Sequence, residues 1–133
     1  MTNKFKQNIK LLIESGKIDE AKPLLEEYGK IEKNDLEFFS IASVIYLMEG
    51  NSEKAKKIIQ EGLSRDSSNF DLLYNFAYLH HVNGDISLAF EYYTQAYNNA
   101  TNDEEAENAS VELAKLRSEV KNKKSYGETG SLS

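Results

Sequence analysis

Gly50-Asn51-Ser52-Glu53-Lys54-Ala55 has two echoes in the chain, Gly16-Lys17-Ile18-Asp19-Glu20-Ala21 before it and Gly84-Asp85-Ile86-Ser87-Leu88-Ala89 after it. The glycines and the alanines advance by one and the same interval, and equal intervals at two residue types define a repeat. Asn34 with Glu37, Ser68 with Asp71 and Thr101 with Glu104 each place a capping side chain three positions before an acid, which is a helix-start signal. Each repeat therefore reads as cap, helix, glycine-containing turn and second helix, over about 3–33, 34–67 and 68–101.

Helical periodicity fills these frames. Phe39, Ala42, Ser43 and Tyr46 fall at i, i+3, i+4 and i+7, and Leu73, Phe76, Ala77 and His80 restate the stripe at the equivalent positions of the next repeat. Ala55, Ile58, Ile59 and Leu63, then Ala89, Tyr92, Tyr93 and Ala96, give the second helices their inward faces. A last helix is expected over about 103–122, with Ala106, Ala109, Leu113, Leu116 and Val120 as a narrow apolar seam. Its acids Asp103, Glu104 and Glu105 and its terminal lysines suit the helix dipole. Residues 124–133, rich in Ser and Gly, read as a disordered tail or truncated linker after a domain spanning 1–123. No stretch alternates like a strand, so the fold class is all-α.

Composition narrows the function. The chain has 133 residues, 40% of them apolar, enough for one ordinary core. The absence of cysteine excludes disulfide scaffolds, thiolate metal sites and thiol nucleophiles. A net charge of −6 argues against nucleic acid as a partner, because phosphate binding needs clustered Lys and Arg. The apolar run near the start, Ile9 to Ile13, is broken by Lys10 and is too short for a signal peptide or a membrane span. The expectation is a soluble cytoplasmic protein without a membrane partner.

The residues resemble tetratricopeptide repeats, helix-turn-helix elements that stack into a right-handed α-solenoid closed by a capping helix. The resemblance implies the large residue early in the first helix at Phe39 and Leu73, the small crossing residue at Ser43 and Ala77, the large residue a turn later at Tyr46 and His80, and the signature alanine at Ala55 and Ala89. The first repeat departs, with Ile9 at a small-residue position and Tyr28 at an alanine position. Lys33, Ser67 and Thr101 stand where a proline usually closes a repeat. Pro23 limits how early its helix, expected from Asp19, begins. A weaker resemblance, resting on wording such as Phe70-Asp71-Leu72-Leu73-Tyr74-Asn75-Phe76-Ala77-Tyr78, is to repeats preceding glycosyltransferase domains in some Gram-positive bacteria. It implies an accessory, dimerisation or acceptor-positioning region of a larger enzyme.

Chemistry has few candidates. His80 and His81, the only histidines, point about 100° apart on a helix and cannot chelate one ion. His80 belongs to the packed stripe, whereas His81 is expected to face a concave groove. The acids at 103–107 lack the glycine and alternating ligands of a calcium loop. No nucleophile elbow, phosphate loop or zinc-protease sequence is present, so no enzyme activity, metal or cofactor is expected. The family resemblance places groove residues on the first helices: Lys6, Lys10 and Ile13, then Ser40, Val44, Leu47 and Met48, then Asp71, Tyr74, Tyr78 and His81. An apolar and aromatic patch of this kind marks an interaction site. Tyr74 and Tyr78 stand where chaperone-tail binders of the family carry cations, so a carboxylate clamp is not expected. By repeat the formal charge runs +1, −2 and −3, with −2 on the remainder, which gives the groove two ends. The expected function is non-catalytic binding of a protein or peptide partner. Homodimerisation through the groove or the cap is a third reading.

Overall fold

The computed structural model describes residues 2–32 and 34–132, with side chains over 4–32 and 34–122. Lys33 and Ser133 lie outside the described residues. The chain divides into two compact units, 1–67 and 68–133. The first holds α1 (Thr2–Glu14), α2 (Ile18–Ile31), α3 (Glu37–Met48) and α4 (Ser52–Arg65); the second holds α5 (Phe70–Val82), α6 (Ile86–Asn98) and α7 (Asp103–Leu132). Every described element is helical.

The repeat is visible in the backbone. Gly16, Gly50 and Gly84 carry φ of 74°, 76° and 85°, the left-handed conformation that only glycine adopts without steric cost. Each ends its helix with the same pair of hydrogen bonds. Gly50 N donates to the Leu47 carbonyl (3.1 Å) and Asn51 N to the Tyr46 carbonyl (2.9 Å), and the bonds at Gly16–Lys17 and Gly84–Asp85 match them. This is the Schellman closure, which satisfies carbonyls the helix leaves open.

Helix starts depart slightly from expectation. Asp35 Oδ1 accepts from the Glu37 amide (3.0 Å), Asn69 Oδ1 from the Leu72 amide (3.1 Å) and Asn102 Oδ1 from the Glu105 amide (2.8 Å). Asn69 and Asn102 thus stand one residue after Ser68 and Thr101, while at α3 the N-cap is Leu36 and Asp35, next to Asn34, holds the Glu37 amide from just outside it. In each case a carboxylate or amide oxygen next door reaches the free amides of the first turn. Likewise α2 starts at Ile18 rather than Asp19, leaving Pro23 inside the helix. Pro23 is exposed, so the Asp19 carbonyl deprived of its intrahelical donor faces water.

In the first unit Ile9, Ala21, Leu25, Tyr28, Ile41, Ala42 and Ile45 form a buried cluster. Burying one such Ile or Leu contributes roughly 1.5–3 kcal/mol. The large residues of the first repeat are part of this core. Ile9 is buried, and the Tyr28 ring stacks on Phe5 with centroids 6.0 Å apart. Gly29 makes room for Phe38, since a Cβ there would meet its Cε2 at 2.7 Å. In the second unit Ala77, Ala89, Tyr93, Leu113 and Leu116 form the cluster, with α6 packed between α5 and α7. Ala55 and Ala89, the signature alanines, are fully buried.

The structure carries α7 as helix to Leu132, past the expected end of the capping helix near 122. No proline lies between 103 and 132 to remove a donor from the ladder. Gly127 and Gly130 each weaken it by only about 1 kcal/mol.

Candidate functional site

In the first unit the two groove lysines are already engaged. Lys6 Nζ lies 2.8 Å from Asp35 Oδ2 and 2.9 Å from Glu37 Oε1, and Lys10 pairs with the other Glu37 oxygen. The Tyr28 hydroxyl also donates to Asp35. Burial works against the Lys6 ammonium, but its bonds to Asp35 and Glu37 outweigh it and raise its pKa above the ordinary lysine value. In this network Lys6 and Lys10 fasten α1 to Asp35 and to Glu37 at the start of α3.

Farther along α3, Ser40 is buried and its hydroxyl donates to the Glu37 carbonyl (3.0 Å), while Ile13 packs against the core. Val44 and Leu47 are half-buried, and Met48 is 47% exposed. Of the apolar groove residues on this helix, Met48 is the one most open to solvent.

The second unit sorts its candidates similarly. Tyr74 is half-buried at the core, its ring edge-on to Tyr93 (5.2 Å between centroids) and close to Phe70 (5.6 Å). Burial, reinforced by the Glu112 carboxylate, raises its phenol pKa. Tyr74 is therefore a packing residue, held by α6 rather than offered to a ligand. Tyr78, one turn on, is 45% exposed, and Asp71 is exposed as well.

His81 Nε2 lies 3.0 Å from Glu119 Oε2 on α7. A carboxylate can only accept, so Nε2 carries the proton. The side chain ties α5 to α7. His80 stacks on Tyr92 (5.5 Å, 17° between planes) and lies 4.5 Å from the Phe76 centroid, as its place in the packed stripe implied.

Sequence reasoning missed an exposed apolar residue on α5. Val82 is 55% exposed and occupies the place in the third repeat that Met48 occupies in the second, so the repeat itself was the signal that could have found it. Each unit thus presents its own small apolar face near the end of a first helix: Leu47 and Met48 on α3, Tyr78 and Val82 on α5. Among the described residues no group of three metal-ligating side chains converges, and no helix is long and apolar enough to cross a membrane.

No family model and no curated protein matches the sequence. Solved structures do. PcrH from Pseudomonas aeruginosa is 18% identical with a TM-score of 0.75, over 87% of this chain and 91% of that one. The type III secretion translocator chaperone SycD of Yersinia enterocolitica is 18% identical with a TM-score of 0.77, over 92% and 93%. The TPR2AB domain of yeast Sti1 is 14% identical with a TM-score of 0.76, over 96% of this chain and 50% of that one. These likenesses establish the helical-repeat fold of tetratricopeptide type. They give no support to the weaker resemblance to glycosyltransferase-associated repeats.

Proposed function

We propose that this chain is a non-catalytic, cytoplasmic scaffold that holds a peptide segment of a partner protein on the first-helix faces of its repeats. The observation that carries the reading is the exposure of Met48 on α3 and of Val82 at the equivalent place on α5, with Tyr78 exposed one turn before Val82. Proteins of similar fold support it. PcrH has been solved with the chaperone-binding regions of PopD and PopB, SycD with a peptide of the translocator YopD, and Sti1 TPR2AB as an Hsp90 complex. Catalysis is disfavoured by the commitment of both histidines, one to an aromatic stack and one to Glu119. With Lys6 and Lys10 neutralised by Asp35 and Glu37, the peptide is recognised by apolar anchors rather than by a terminal carboxylate.

The test is recovery of a partner from the native host with wild type, Met48→Ala and Tyr78→Ala, alongside circular dichroism. An anchor truncation costs about 2 kcal/mol, roughly thirtyfold in affinity. Both variants should keep their helical signal and lose most of the partner. A partner retained at wild-type level by both would place recognition elsewhere on the protein. Since a SycD dimer has been solved, sedimentation of the free protein tests homodimerisation separately.

A further inference from the structure

The second unit carries an apolar cleft whose lining does not include Tyr78. The helix α7 has 30 residues and its neighbour α6 has 13, so α7 outruns it by about 25 Å at 1.5 Å per residue. The buried part of the α7 seam, Ala109, Leu113 and Leu116, ends level with the start of α6, and the next seam position, Val120, is 47% exposed. There a cleft of about 670 Å³ opens between the two helices, lined by Ile86, Ser87, Phe90, Arg117, Val120 and Lys121.

Its floor is apolar and its rim is cationic. The Arg117 guanidinium lies over Phe90, 5.5 Å from the ring centroid, and Lys121 follows one turn later. The first turn of α6 contains no acid, and its helix dipole adds partial positive charge. Two acids that flank the lining residues in sequence are engaged: Asp85 accepts from the Leu88 amide (3.1 Å), and Glu119 binds His81. The distribution of charge is more telling still. Residues 68–133 carry ten acidic and five basic residues, and all five cations, Lys115, Arg117, Lys121, Lys123 and Lys124, fall within ten positions of α7.

We propose that this cleft is a docking site for an acidic amphipathic helix of a partner protein, which lays apolar side chains on Ile86, Phe90 and Val120 and sets carboxylates against Arg117 and Lys121. The apolar seam continued by Val120 supplies the contact, and the cations select the partner's charge. The site stands independently of the Met48 and Tyr78 faces.

The test uses the full chain and a fluorescein-labelled synthetic helix, with leucines at i, i+3, i+4 and i+7 and glutamates flanking them. The same helix with lysine in place of glutamate is the control. Fluorescence anisotropy should show the glutamate helix binding about tenfold or more tightly than the lysine helix. Arg117→Glu combined with Lys121→Glu should invert that order. Val120→Glu, at an exposed position, should weaken the glutamate helix about tenfold with an unchanged melting temperature, and Tyr78→Ala should leave it alone. Equal affinity for the two helices, no saturable binding, or indifference to the charge reversal overturns the proposal. So does self-association of the free chain that the charge reversal abolishes, because that would assign the cleft to a second copy.

Discussion

Asp35 is the point on which the polar contacts of the first unit converge, receiving Lys6, the Tyr28 hydroxyl and the Glu37 amide. Burial raises its carboxyl pKa, but these hydrogen bonds outweigh the burial and hold it below 3.8; Glu37, buried yet bonded by Lys10 and Lys6, is held below 4.5. A depressed carboxylate contributes stability that is present above its unfolded pKa and lost as pH falls through the folded one. Lys6, raised above 10.5, contributes stability that is full below that value and lost only at higher pH. Melting temperature should therefore fall below about pH 4, and Asp35→Asn should flatten that acid limb while costing about 1–2 kcal/mol at neutral pH. An acid limb unchanged in the variant would remove Asp35 from the titrating groups. In the second unit the Tyr93 hydroxyl is buried without a hydrogen-bond partner, and burial raises its pKa, with smaller contributions from Glu112, Tyr74 and Tyr78. An unmet buried hydroxyl costs about 1–3 kcal/mol, so Tyr93→Phe should unfold at higher urea than wild type with the same slope. A lower midpoint would mean that the hydroxyl has a partner.

Among the helices, α2 carries an avoidable defect. Pro23 is the sixth of its 14 residues, beyond the first turn in which proline is tolerated. Because the position is exposed, Pro23→Ala restores a hydrogen bond without disturbing the core and should raise stability by about 1–3 kcal/mol, read by calorimetry. No gain would show that the proline's stiffening of the unfolded chain offsets its missing donor. The helices themselves were legible from the constant step between glycine turns and from the apolar stripes, because spacing alone fixes which side chains share a face. Their starts were legible only to within a residue. Asn34 and Asp35, Ser68 and Asn69, Thr101 and Asn102 are neighbouring pairs in which both members can cap, and only backbone geometry chooses between them.

The candidate site was legible where exposure follows from repeat position and illegible where it depends on a distant partner. Met48 and Tyr78 keep their exposed places. Lys6, Lys10 and His81 are engaged by Asp35, Glu37 and Glu119, which lie far along the chain and meet them only once the intervening helices have folded. The same reasoning identifies what α7 is for. Among the described residues its buried side chains are Ala109, Leu113 and Leu116, and the two leucines close the cluster containing Ala77, Ala89 and Tyr93. A repeat without a cap leaves such a face in water, and terminal repeats need a polar outer side to remain soluble. Removing residues 103–133 should therefore expose Tyr93 and Ala89, destabilise the second unit and drive aggregation, visible as light scattering on mild heating. Removing 124–133 takes away none of those buried contacts and should leave the melting temperature within about 1 °C of wild type. If the shorter deletion lowered it by several degrees, the far end of α7 would be holding structure in its own right, and the cap would have to be redrawn to include it.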